Sequence, residues 1–403
     1  MNPIVIIGAG LAGFTVAREL RKLDKDVPLI ILTADAGGFY SKPMLSNAFA
    51  QKKDAAQLVT QSAAQMATQL GATILAATHV TGVDTAHRTI TTEGASIAYD
   101  KLVLAVGAQP IRLAIDGDGA DQVLSVNNVA DYARFRDIVA LPKHGASARV
   151  TILGAGLIGC EFADDLAGAG HAVTLIDPSP LPLAALAAPA LSRGLQAALT
   201  ARGVSLKLST TARRIERSGD NLHVSLEDGG AFDTDIVLSA VGLRPNLTIA
   251  TAAGLATGRG ILTDASGQTS AEHVYAVGDC AEYTIDATGG TRILPYIAPL
   301  MTAARAIART LTGTPTTIDL KDSAVIVKTP SYPIALVPPP LHAVATGTWE
   351  DELTESRTIC RFYDTAGMLV GFCVAPQDAA IRATLLAALG SPASSPSSAA
   401  GQG

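Results

Sequence analysis

Short apolar runs, each ending in a glycine or an acid, set the rhythm of this chain. Ile4 to Ile7 is apolar at every position and reads as a short strand buried on both faces. A helix over Leu11 to Leu23 and a strand over Leu29 to Leu32 follow. Gly37 to Ser46, GGFYSKPMLS, reads as a loop with Lys42-Pro43 at its middle. Helical spacing predicts a helix over Asp54 to Gly71, and residues 73 to 99 alternate as short strands. The strand Lys101 to Val106 breaks at Gly107-Ala108-Gln109-Pro110. A linker-like stretch from Asp116 leads into a helix over Val129 to Leu141. Then the opening returns: strand Val150 to Leu153, a helix running to Leu166, strand Val173 to Ile176. Ile236 to Val241 ends in Gly242-Leu243-Arg244-Pro245, an echo of the break at Gly107 that suits a chain crossing between two domains. Val274 to Val277 is a strand closed by Gly278-Asp279, and a helix over Ala298 to Leu311 starts among Pro295 and Pro299. From Thr316 the pattern changes to short strands with the cluster Pro338 to Pro340, a small third domain. The Ser, Ala, Pro and Gly-rich end reads as a disordered tail.

The glycines that close the first run have the spacing G-x-G-x-x-G. Gly8 permits the turn out of the strand, Gly10 lets a pyrophosphate approach the backbone, and Gly13 lets the helix pack closely on the strand. The helix start then offers free N–H groups to phosphates. Asp35 falls roughly 20 residues later, where a carboxylate meets a ribose hydroxyl pair or simply closes the turn that Ala36-Gly37-Gly38 makes. Gly154, Gly156 and Gly159 repeat the spacing, and Asp177 ends the strand after them. Two copies of strand, glycines, helix and acid in one chain predict two dinucleotide sites. Asp177 would repel a 2′-phosphate, and Pro178-Ser179-Pro180 supplies no arginine, so NADH is favoured over NADPH.

The 403 residues suit two or three domains, and 48% hydrophobic against 16% charged residues suits a large α/β core. A net charge of −6 and 4% aromatics argue against nucleic acid as a partner. The most apolar stretch, Leu181 to Leu191, is short and broken by Pro182 and Pro189, so neither a membrane span nor a signal peptide before Ile4 is expected. Cys160, Cys280, Cys360 and Cys373 form neither a C-x-x-C pair nor zinc spacing. No metal site is expected, and a reducing cytoplasm is the simplest setting.

The order GAGLAG, LVLAVGAQP, GAGLIGCEFADDL, SAVGLRPN and VYAVGDCAE resembles the FAD-dependent pyridine nucleotide reductases of the glutathione-reductase fold over roughly residues 3 to 385. Three stretches, residues 33–46, 156–166 and 327–340, most resemble the members that reduce rubredoxin. The resemblance implies an α/β chain with two Rossmann-like domains, for FAD and NAD, and a small α+β C-terminal domain. Its boundaries would be 1–112 with 243–314 for FAD, 113–242 for NAD, 315–388 for the third domain and 389–403 for the tail. FAD and NAD(H) would be the cofactors and rubredoxin a transient partner of a monomer or weak dimer.

Site residues carry over from the same resemblance. Leu11, Ala12, Thr33 and Asp35 would join the first glycine triplet, with Lys42, Pro43, Val80, Ala105 and Gly107 further along the cofactor. Leu157, Ile158, Glu161, Asp177 and Gly242 would join the second triplet. Gly278 and Asp279 would meet the ribityl chain, and Pro295 and Lys328 would approach the ring. Lys42 would be the catalytic cation, paired with Glu161 at the start of the second dinucleotide helix. The disulfide reductases and NADH oxidases of this fold carry cysteine in the loop near Lys42, whereas here no cysteine precedes Cys160. The ferredoxin-reducing relatives often show Trp-Ser-Asp-Gln where this chain has Val327-Lys328-Thr329-Pro330. An NADH:rubredoxin oxidoreductase is therefore expected. The alternatives are a ferredoxin or flavorubredoxin reductase and a non-enzymatic NADH-sensing flavoprotein, and the pathway served, such as alkane hydroxylation, is left open.

Overall fold

The computed structural model describes residues 2–141, 147–284 and 290–393. Its first sheet grows around Ile4–Ile7, whose four side chains are all buried. A strand apolar on both faces accepts parallel neighbours on both edges. Leu29–Leu32 pairs on one side and Lys101–Leu104 on the other. Thr73–Leu75 and Val274–Ala276 complete five parallel strands, so the chain returns to this sheet after building a second one. Helices Leu11–Leu23 and Ile297–Leu311 pack together beside it.

The second sheet repeats the plan with four parallel strands in the order Ser205–Leu208, Ala172–Asp177, Arg149–Leu153 and Ile236–Ser239. Where the chain leaves the first sheet and where it comes back, Ala108–Pro110 and Leu243–Pro245 pair antiparallel, so the two crossings brace each other. The third sheet is antiparallel, running Val325–Val327, Ile334–Val337, Leu369–Ala375, Thr358–Tyr363 and Thr348–Leu353. One hydrophobic cluster joins the second and third sheets to the segment after Lys42: Phe49, Phe135, Phe162, Leu195, Leu336 and Cys373 all belong to it. The architecture is α/β, with two Rossmann-type units and a smaller C-terminal unit.

Several local expectations change. The helix predicted over Asp54 to Gly71 is two helices, Ala55–Leu58 and Ala63–Leu70, separated by the strand Val59–Gln61. Each piece has its own capping box, Asp54 with Gln57 and Ser62 with Gln65, which restarts the helix. The loop read over Gly37 to Ser46 contains a short strand, Phe39–Tyr40, and a 3₁₀ helix, Lys42–Asn47. The first residues of the stretch expected as a tail from position 389 are hydrogen-bonded. Gly390 and Ser391 bond to Leu369, and Ala393 bonds to Gly367, which fasten the chain to the end of a strand. Residues 394–403 lie outside the described residues.

Candidate active site

Both glycine loops open into one cavity of about 1980 Å³. A single small-molecule site typically occupies about 300–1,000 Å³, so this cavity has room for two large ligands. Gly8 and Gly154 turn the chain with φ of +115° and +101°, values that disfavour any side chain. Gly10 and Gly156 both face open space, where a Cβ would meet nothing within 4 Å. Gly13 and Gly159 lie outside the cavity wall, and a Cβ on either would strike the carbonyl of Gly8 or Gly154. The two loops are thus the same device used twice: one glycine turns, one leaves room, one packs.

Three helix starts reach this cavity, and none has a side-chain cap. They are Leu11–Leu23 behind Gly10, Leu157–Gly168 behind Gly156, and Ile297–Leu311 behind Tyr296. None has an acid in its first turn. Uncapped N–H groups at a helix start present partial positive charge. Leu11, Ala12, Leu157, Ile158 and Pro295 line the wall at these starts.

Each strand-end acid does more than face a ligand. Asp35 accepts bonds from the Thr33 hydroxyl at 2.7 Å and the Gly37 N–H at 2.9 Å. Asp177 accepts from Ala155 N at 2.7 Å and Ser179 N at 2.8 Å, clasping the second glycine loop. Both bonds to Asp35 fall on Oδ1, so its Oδ2 keeps acceptor capacity, whereas each Asp177 oxygen takes one of these bonds and keeps a second lone pair. Thr33, Asp35, Val80, Ala105, Gly107, Asp177 and Gly242 all line the cavity. Gly278 does not. It turns the chain at φ +78°, with its Cβ position 2.9 Å from Ala12.

The expected Lys42–Glu161 pair is not formed. Lys42 opens the 3₁₀ helix next to Pro43, and its Nζ lies 3.9 Å from Asp279 Oδ2. Burial lowers the proton affinity of this ammonium, and Asp279 and Asp131 act against that. Glu161 is held elsewhere. Its Oε2 takes the Lys328 ammonium at 2.5 Å and the Ser46 hydroxyl at 2.5 Å, and its Oε1 takes the Lys328 backbone N–H at 2.8 Å. One turn of 3₁₀ helix separates Lys42 from Ser46, so it is the serine that reaches Glu161. Lys42, Glu161 and Lys328 all remain in the cavity wall.

Glu161 heads a row that the sequence reading passed over. Glu161, Asp164 and Asp165 sit at i, i+3 and i+4 of the helix Leu157–Gly168, on one face, all buried. Asp164 accepts from Ser331 N at 3.0 Å and meets Arg202 at 3.0 Å. Asp165 accepts from Phe49 N at 2.8 Å and Ala50 N at 3.0 Å. Burial, with Asp164 adding a like charge, pushes the Asp165 carboxyl up to about 6 against those two bonds and Arg202. The signal was present in E-F-A-D-D-L: three acids among apolar residues in a core helix must find donors, because unpaired buried charge is costly. Here the donors come from the chain segments on either side, so one helix face ties all three units together.

No thiol lines the cavity. The four cysteines are free and buried, and burial raises the Cys160 and Cys280 thiols far from the reactive thiolate form.

Comparison with known proteins agrees with this geometry. Residues 2–308 match the family model described as pyridine nucleotide-disulphide oxidoreductase. Residues 317–389 match the model described as rubredoxin binding C-terminal domain. The chain is 42% identical to a rubredoxin-NAD(+) reductase of Alcanivorax borkumensis, covering 93% of this chain and 95% of that one. It is 43% identical to the one of Acinetobacter baylyi, covering 92% and 93%. A nitric oxide reductase FlRd-NAD(+) reductase of Aeromonas salmonicida is 41% identical over 83% of each chain. Among solved structures, a ferredoxin reductase from Rhodopseudomonas palustris superposes with a TM-score of 0.83 at 25% identity, over 93% of this chain and 91% of that one. With its doubled glycine loop, shared cavity and matched length, the chain belongs to the pyridine nucleotide-disulphide oxidoreductase family.

Proposed function

We propose that this protein is an NADH-dependent FAD flavoprotein that reduces rubredoxin. The observation that carries the reading is the pair of equivalent glycine loops opening into one thiol-free cavity, whose wall is completed by Ala324, Val325, Ile326 and Lys328 of the unit matched to rubredoxin binding. We assign residues 1–112 and 243–314 to the FAD unit, 113–242 to the NAD unit and 315–388 to the acceptor-side unit.

The residues present fit both cofactors. Gly10 and Gly156 leave open backbone where a pyrophosphate needs it. Asp35 and Asp177, at the strand ends, keep acceptor capacity for ribose hydroxyls, and Asp177 disfavours a 2′-phosphate. When bound, FAD takes an electron pair from NADH and releases it as single electrons, chemistry that amino-acid side chains do not offer. The chain supplies position and field. Lys42, held by Asp279, and the uncapped start of Ile297–Leu311 place positive charge on the cavity wall, which favours developing negative charge between them. No group of metal-binding side chains occurs among the described residues, so the iron of the acceptor belongs to the partner.

The 41% identity to a flavorubredoxin-type reductase favours one second reading, an acceptor module within the nitric oxide reducing system. Steady-state turnover with NADH against isolated rubredoxin, flavorubredoxin and ferredoxin separates the two. A kcat/KM for rubredoxin at least about tenfold above the others is expected, a preference of about 1.4 kcal/mol. Preference for flavorubredoxin transfers the assignment to that system.

A further inference from the structure

Lys328 is fixed at all three of its polar groups by other parts of the chain. Its backbone N–H and its ammonium both go to Glu161, at 2.8 and 2.5 Å. Its carbonyl accepts from Asn47 Nδ2 at 2.8 Å. Asn47 is 8% exposed and follows Ser46, which holds the same Glu161 oxygen that Lys328 holds. The 3₁₀ helix Lys42–Asn47 therefore places one cavity cation at its first residue and, through its last two residues, the other. Lys328 is still 31% exposed at its side chain and lines the cavity, so what is fixed there is an accessible group and not a packed one.

We infer that Asn47 is a positioning residue: it sets the register in which the Val325–Lys328 segment, carrying the acceptor-side wall, meets the cavity. Asn47 itself is not part of the wall. Its carbonyl oxygen Oδ1 is buried without a hydrogen-bond partner among the described residues. An amide kept with one buried acceptor unpaired costs stability. Plain packing at this site is better served by leucine, whereas the donor Nδ2 has a specific target. The inference rests on the acceptor reading above only in naming which half-reaction depends on the wall.

The test uses the FAD-loaded full chain with Asn47→Asp, which keeps the shape and loses the donor, and Asn47→Ser, which is too short to reach. Two readouts are taken. Amide hydrogen exchange over residues 325–332 should speed up by about tenfold in both variants, with exchange at Ile4–Ile7 unchanged, as expected for loss of one buried bond. The KM for rubredoxin should rise by about fivefold or more, while the KM for NADH, measured with ferricyanide as acceptor, stays within about twofold. Unchanged exchange at 325–332 overturns the inference, as does faster exchange with no change in the rubredoxin KM. Equal rises in both KM values also overturn it, because they mark a general loosening. If either variant fails to retain FAD, the other is read alone. If the wild-type protein reduces ferricyanide but not rubredoxin, the acceptor reading fails, and the exchange arm still decides the role of Asn47.

Discussion

Glu161 and Lys328 are 167 positions apart, and their side chains meet at 2.5 Å. The contact joins the helix after the second glycine loop to the third sheet, and Ser46 from the first unit shares the same oxygen. The pair is largely desolvated at the Glu161 end, which is 3% exposed, and open at the Lys328 end. Removing one partner strands a buried charge, whereas removing both does not. Lys328→Met, which strands the buried Glu161 carboxylate, should therefore lower unfolding stability by on the order of 2–4 kcal/mol. The double variant Glu161→Leu/Lys328→Met should recover part of that loss, as urea melts of the two will report. Additive losses would mean that the pair is not coupled.

The paired glycines predict opposite failures. Gly156→Ala puts a methyl into open space, so the variant should fold with an unchanged melting temperature and bind NADH at least about tenfold more weakly. Gly159→Ala drives a methyl into the Gly154 carbonyl and should lower the melting temperature or prevent folding. Calorimetry with NADH titration distinguishes these two outcomes.

Asp177→Ala removes the acceptor for Ala155 N and Ser179 N together with the carboxylate proposed to disfavour a 2′-phosphate. The NADH over NADPH preference in kcat/KM should fall by about tenfold or more, mostly through a higher KM for NADH. A preserved ratio would assign Asp177 to loop structure alone.

Asp165 carries a pH signature. Its carboxyl is raised in the folded protein to about 6 from an ordinary 3.8. Between those values the folded state holds a proton that the unfolded state has lost, so this group's contribution to stability declines as pH rises. The groups facing it are Asp164 and Arg202, with Phe49 N and Ala50 N bonded to it. Asp165→Asn lacks this titration. The melting temperature of the variant minus that of the wild type should therefore increase from pH 4.5 to pH 7, pH values spanning about that window. A flat difference would show that Asp165 ionises normally.

What could be read from the chain and what could not divide along physical lines. The dinucleotide loops are local: strand, glycines and helix start lie within about fifteen residues and each glycine has its own steric reason. The partner of Glu161 is not local. The family resemblance placed a cation near it but chose Lys42 over Lys328, because the choice depends on how the third sheet packs on the second, through Phe162, Leu336 and Cys373. The broken helix at residues 55–70 was legible in principle, since the two capping boxes are written in sequence as D-x-x-Q and S-x-x-Q. The apolar spacing across them masked the break. The roles of Ser46, Asn47, Asp164 and Asp165 emerge only where the three units meet.

NADH drives electrons through a thiol-free flavin site to rubredoxin. Anaerobic stopped-flow mixing of the FAD-loaded protein with NADH and excess oxidised rubredoxin tests it most directly. The flavin absorbance should bleach first, and the rubredoxin iron–thiolate absorbance should then disappear over several turnovers, unaffected by prior alkylation of accessible thiols. Flavin bleaching that leaves rubredoxin oxidised, or activity abolished by alkylation, would contradict the account.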